Sequence, residues 1–179
     1  MAEQPFTIDG RMKNEADIQR NWKWELWIPK PPAVTNWDLD DMIIRCRSAV
    51  IPGRGNEPIE SNFMGQKQFF PGKPIFPNSF MAMFEEFEDK KVSEFLFAWQ
   101  QAMHDYPGKT DNAGNANTDG KSGIKTDISL RQYGFKGNLI QDLQFKNAWV
   151  QNVDDVAMDY TGAESVKYSV TFQYDYWTI

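Results

Sequence analysis

Catalysis needs a nucleophile, a base and an environment that perturbs them, and this sequence offers few of those parts. His104 is its only imidazole and Cys46 its only thiol, so a histidine-based triad has a single candidate base. His104 falls at the end of a predicted helix beside a loop, where the helix dipole mildly favours a cation, and that placement accounts for it without chemistry. Cys46 lies on the apolar face of an extended run and reads as a small buried hydrophobe. Metal sites built from Cys and His are excluded by count. Asp154, Asp155 and Asp159 could bind calcium weakly, but their spacing lacks the EF-hand pattern, and a solvated acidic loop is the plainer reading. Ile51-Pro-Gly-Arg-Gly55 is too short and wrongly placed for a phosphate loop. The neighbours Glu85 and Glu86 are too ordinary a pair to indicate acid–base work. Trp22, Trp24 and Trp27 with Lys23 could stack on nucleic-acid bases, yet Trp22 and Trp24 share the apolar face of one alternating run, which favours core or interface. No enzyme, cofactor or metal is expected.

The totals agree. A chain of 179 residues with a net charge of −6 suits one domain of ordinary size. A surface built to grip DNA is usually basic, so the acidic balance argues against one. Aromatic residues make up 15%, which favours β structure or large interfaces. One cysteine permits no intramolecular disulfide. Residues 1–10 lack a basic region followed by an apolar run, so no secretory leader is expected. No stretch reaches the ~20 apolar residues of a membrane span.

The elements follow from periodicity. The clearest is the final stretch, where Val166, Tyr168, Val170, Phe172, Tyr174 and Tyr176 alternate with Lys167, Ser169, Thr171, Gln173 and Asp175. Period-two alternation predicts a strand with its even face on a core. Residues 1–20 are mixed in charge and read as an arm. Residues 21–28 alternate Trp22, Trp24, Leu26 and Ile28 with polar positions and Trp27, a strand that the prolines at 29–32 stop. Residues 42–51 are expected as a second strand, with Met42, Ile44, Cys46, Ser48 and Val50 on one face. Residues 57–70 are extended with apolar residues on both faces, a pattern that suits a loosely specified hairpin or a segment crossing between subunits. Residues 78–88 read as a strand with Phe80, Ala82 and Phe84 inward, although their Met, Ala and Glu content also favours helix. Asp89 suits an N-cap, and a helix over 90–105 carries the stripe Val92, Phe95, Leu96, Trp99 and Met103. Residues 106–123 form a long Gly/Asn/Asp-rich loop. Strands over 125–135 and 139–149 meet at a Gly137-Asn138 turn, the second with Leu139, Leu143, Phe145 and Trp149 on one face. Four extended segments, one helix and three further strands predict a β-rich α+β fold, a β-barrel or sandwich with one flanking helix.

Several of these stretches resemble, in the same order, the tail tube proteins of contractile-tailed bacteriophages. They are Val50-Ile-Pro-Gly53, Phe95-Leu-Phe-Ala-Trp-Gln100 with the loop after it, Ser129-Leu-Arg-Gln-Tyr133, Trp149-Val-Gln-Asn-Val153 and Tyr168-Ser-Val-Thr-Phe-Gln-Tyr-Asp-Tyr-Trp177. The resemblance covers about residue 21 to the end and leaves residues 1–20 as a separate arm. It implies a barrel or sandwich protomer that assembles into hexameric rings. The rings would stack into a hollow tail tube inside a contractile sheath, with a tape-measure protein in the lumen and a baseplate and tail terminator at its ends. The protein would then be a virion component, assembled in the bacterial cytoplasm, through which DNA leaves without specific binding and with no membrane partner. A conduit must not hold DNA, because each Lys or Arg contact to phosphate adds strongly to affinity. An acidic lumen repels the cargo, and Glu57, Glu60, Asp127 and Asp142 are the candidates to face it. The arm, residues 57–70 and the loop at 106–123 are the natural elements to face another ring or the sheath. Two alternatives remain open: the tube of a phage-derived, bacteriocin-like injection machine, and a monomeric β-sandwich binding module with a Trp-rich face.

Overall fold

The computed structural model describes residues 21–31, 34, 39–103, 124–134, 136–159 and 164–179. The arm at 1–20, the loop expected at 106–123 and His104 lie outside them. In chain order the elements are β1 (Trp24–Trp27), α1 (Leu39–Arg45), β2 (Cys46–Ala49), β3 (Gly55–Phe63), β4 (Gln66–Ile75), β5 (Ser79–Glu85), α2 (Lys91–Met103), β6 (Thr126–Tyr133), β7 (Leu139–Val153), β8 (Lys167–Gln173) and β9 (Tyr176–Thr178). Every pairing is antiparallel. One sheet runs β1-β6-β7-β8-β5-β2, with β9 also on β7, and β3 and β4 form a separate two-stranded ribbon.

The large sheet bends on itself around one core. Leu26, Leu130 and Leu143 stand opposite one another across β1, β6 and β7, and Ala82 faces Val170 across β5 and β8. The two halves meet through aromatic rings: Phe80 of β5 stacks on Phe145 of β7 with centroids 4.3 Å apart and on Phe172 of β8 at 5.2 Å. The helix α2 lies along β7 and reaches β8 through aromatic rings. Its stripe of Val92, Phe95, Leu96, Trp99 and Met103 is buried as the three- and four-residue spacing requires, Trp99 packs on Phe172 at 6.0 Å, and its Nε1 donates to the Ile124 carbonyl at 2.6 Å. Each buried Phe or Leu contributes roughly 1.5–3 kcal/mol by removal from water.

Four expectations are corrected. The run 42–51 is not one strand. Its first half is helix α1, with Asp40 and Asp41 in the first turn and Arg45 in the last, charges that complement the helix dipole. Met42 and Arg45 are buried at helical spacing while Ile44 is 64% and Val50 56% exposed. The fold therefore has two helices where one was expected. The sheet does not close into a barrel: β1 and β2 are its ends and come near each other without pairing. The helix α2 does not take its N-terminal carboxylate mainly from Asp89. Glu86 accepts the Val92 and Ser93 amides at 3.2 and 2.7 Å, while Asp89, which accepts the Lys91 amide, is drawn chiefly to Arg45.

The fourth correction concerns alternation in β7 and the final strand. In β7 Leu143 and Phe145 point inward, then Ala148 and Val150. The switch of face occurs at Asn147, whose φ of 56° is left-handed and opens a bulge against β6. A second register shift, where Gln132 and Tyr133 of β6 face Gln141 and Leu139, takes Leu139 off that inward face and leaves it 52% exposed. The strand opposite switches at the same level. Tyr174 is buried, Tyr176 is 56% exposed and Trp177 turns back onto the core. The Asn147 side-chain amide donates to Asp175 at 2.8 Å, and the Asp175 amide donates to the Lys146 carbonyl at 3.1 Å. Paired bulges let the sheet bend sharply without losing register.

Candidate functional site

Several residues chosen for possible chemistry have structural partners. Burial pushes the Cys46 thiol up to about 12, which keeps it protonated and inert at neutral pH. Glu85 pairs with Arg47 across the β5–β2 edge. Asp154 accepts the Asn152 side-chain amide at 2.7 Å, and among the described residues no group of His, Cys, Asp and Glu is placed to hold a metal ion. Trp24 packs against the core as expected, whereas Trp22 is 64% exposed.

Three surfaces remain. The first is the ribbon β3–β4. Every residue of both strands is exposed except Gly72, which is half-buried. Ile59 stands opposite Phe70, and Glu60 opposite Phe69, so apolar side chains occupy both faces. Ile59, Phe63, Phe69 and Phe70 are each at least half exposed. Prolines at 58, 71 and 74 stay within the strands because a two-stranded ribbon has two open edges that require no donor. Gly72 lies so close to β3 that a Cβ there would come within 2.5 Å of the Glu57 carbonyl oxygen and 2.8 Å of the Ile59 side chain.

The second surface is the outward face of β1, β6 and β7. Glu25, Arg131 and Asp142 form one cross-strand row. The Arg131 guanidinium stacks on Trp27 at 4.0 Å, and its Nε lies 3.9 Å from Asp142. Glu25 accepts the Trp27 indole N–H at 3.0 Å and the Tyr133 hydroxyl at 2.9 Å; burial and then this carboxylate push the Tyr133 phenol up. Further along, Lys146 pairs with Asp127 at 3.0 Å. The third surface, the outward face of β5 and β8, carries Met81 opposite Thr171 and Met83 opposite Ser169, with charge only where Glu85 faces Lys167.

The four acidic candidates do not converge. Glu57 and Glu60 lie on the ribbon, Glu60 bound to Lys67 at 2.6 Å. Asp127 and Asp142 share the charged sheet face. Asp127 is held by Lys146 and the Asn147 amide, and Asp142 by the Gln144 side chain at 3.2 Å.

Sequence reasoning missed one buried charge cluster. Arg45, 3% exposed, donates twice to Asp89, at 2.8 Å through Nη1, lies 3.6 Å from Glu86 and stacks over Phe87 at 4.6 Å. It fastens α1 to the start of α2. The Arg45 hydrogen bond holds the Asp89 carboxyl below its ordinary range, and Lys91, next to Asp41, is raised. No local pattern announces a pair separated by 44 residues.

An exposed apolar ribbon thus stands beside an open, strongly bent sheet. Residues 25–179 match the family model "Phage tail tube protein". No curated protein matches the chain in sequence. Among solved structures, the sheath–tube complex of an extracellular contractile injection system is 15% identical, with a TM-score of 0.60 and 97% of each chain covered. The sheath/tube terminator of such a system is 14% identical at 0.60, covering 92% of this chain and 97% of that one. The tube-terminating cap of the anti-feeding prophage is 16% identical at 0.59, covering 93% and 95%. At these identities the likeness is one of fold, whereas the family match spans nearly the whole chain. The chain belongs to the phage tail tube protein family.

Proposed function

We propose that the protein forms hexameric rings that stack into the hollow tail tube of a contractile particle, the conduit through which DNA enters the host. The observation that supports this reading is the ribbon: apolar side chains on both faces, none of them packed into the core formed by the described residues. A protomer gains nothing from that exposure, and a second copy in the next ring supplies the missing cover. The sheet ends β1 and β2 offer edges for neighbours within a ring, which hides them from indiscriminate pairing. Sheath, tape-measure protein, baseplate and tail terminator are the partners this role implies. Assembly in the bacterial cytoplasm, with no membrane contact, goes with it.

Within that reading Glu57, Glu60, Asp127 and Asp142 face the lumen or its rim. Their partners matter. Glu60, Asp127 and Asp142 each lie near a cation, while Glu57 has no ion pair among the described residues, so the strongest repulsion of phosphate falls to Glu57.

The same architecture serves an injection machine, and the fold shared with sheath–tube and terminator chains of an injection system favours that as the second reading. Negative-stain micrographs of the concentrated protein test the assembly: rings or rods of one diameter are expected, and small particles at every concentration would refute it. Nucleic acid co-purifying inside whole particles separates a virion from a machine that carries none.

A further inference from the structure

Among the described residues the ribbon strands pair only with each other, yet both feet of the ribbon are held, and held by one corner of the body. At the first foot the Arg54 guanidinium lies over the Trp177 ring, 4.0 Å from its centroid. At the second, the Tyr174 hydroxyl donates to the Pro77 carbonyl, and the Tyr174 amide donates to the Asn78 carbonyl at 2.8 Å. Tyr174 cannot yield. It is 2% exposed, with its ring 5.1 Å from Phe145 and 6.2 Å from Phe80. Trp177 is packed on the core opposite Phe145, and its Nε1 is buried without a hydrogen-bond partner. The indole is therefore placed by packing and by Arg54, not by a polar bond. It reaches that position only because the strand changes face at Asp175, for strict alternation would leave Trp177 outward.

We propose that the corner 174–177 is a clasp that sets the direction of the ribbon before assembly, with Tyr174 as its fixed half and Arg54 on Trp177 as its releasable half. Arg54 is a positioning residue: it acts on where the ribbon points, not on what the ribbon touches. A preset direction removes the ordering cost that a swinging ribbon would meet at each new ring. The consequence for assembly rests on the tube reading above; the clasp itself does not.

The test is a distance measurement on the full chain, dilute and unassembled. Spin labels are placed at the ribbon tip and on the body through Met64→Cys and Met158→Cys in a Cys46→Ala background, both positions being well exposed. One narrow distance distribution is expected. Arg54→Ala broadens it and raises the displaced population about two- to fivefold, the Boltzmann factor of an exposed cation–π contact. Arg54→Lys, which keeps the charge over the ring, restores most of the narrowing. Arg54 is itself exposed, so its removal leaves the melting temperature nearly unchanged, which separates a loosened ribbon from a loosened fold. An unchanged distribution in Arg54→Ala overturns the clasp. Broadening in a protein that never forms rods keeps the clasp and removes the tube; rods from a protein with an unaltered distribution do the reverse.

Discussion

The pairs β5–β8 and β3–β4 are both antiparallel and both carry aromatic residues, yet one is the centre of the core and the other is bathed in solvent. The difference is phase. In β5–β8 the apolar positions coincide across the strands, Phe80 with Phe172 and Ala82 with Val170, so one face is wholly apolar and buries itself. In β3–β4 Phe69 and Phe70 are consecutive and point to opposite faces, with Glu60 across from one and Ile59 across from the other. A layer with two half-apolar faces cannot satisfy both against a single core. It needs surfaces above and below, which the other described residues of the chain do not supply.

Substitutions can break this contrast. The largest effect is expected from Phe172→Asp, which puts a carboxylate where the native ring is fully buried. Its cost exceeds ~4 kcal/mol, and loss of the cooperative unfolding transition by circular dichroism is the readout. Wild-type stability there would remove β8 from the core. Next comes Arg45→Ala, which strips a buried cation from Glu86 and Phe87. A destabilisation of about 1–3 kcal/mol is expected in urea titration, and none at all would mean that α1 is not fastened through this residue. The ribbon should answer in the opposite sense. Ile59→Ser with Phe70→Ser should change protomer stability by no more than ~0.5 kcal/mol while abolishing rods in the microscope; rods of normal yield would assign the ribbon another task.

The smallest effect is a pH dependence. Asp89 is lowered by Arg45 from its ordinary value of 3.8, so the unfolded chain binds its proton more readily than the folded one. Its contribution is complete above the unfolded value and is lost as pH falls through the folded one. Because Asp89 is exposed, the change is a slight steepening of the acid limb of urea midpoints, and the Arg45→Ala variant should lack it.

Legibility followed the range of the forces. The α2 stripe, β5 and the inward face of β8 through Tyr174 were readable because a single core imposes one period on each. Residues 42–51 misled because an alternating reading and a helical one both place Met42 inward; the decision rests on Arg45, whose partners Asp89 and Glu86 arrive from a distant turn. The bulge at Asn147 was invisible for a similar reason. Asn tolerates left-handed φ, but nothing near it in sequence says that Asp175 will meet it across the strand.

Period and polarity were enough to specify a β-rich domain with a stripe-bearing helix. Even the ribbon's two-sided character stood in the order of its residues. They pointed the wrong way for the second helix and for Tyr176, which turns outward, and they left open whether the sheet closes and where Trp177 sits beneath Arg54. Each of those depends on groups far apart in the chain meeting at ångström distances. Pattern within a segment records which face seeks the core, whereas bends, ion pairs and clasps are settled by what the other segments bring to that face.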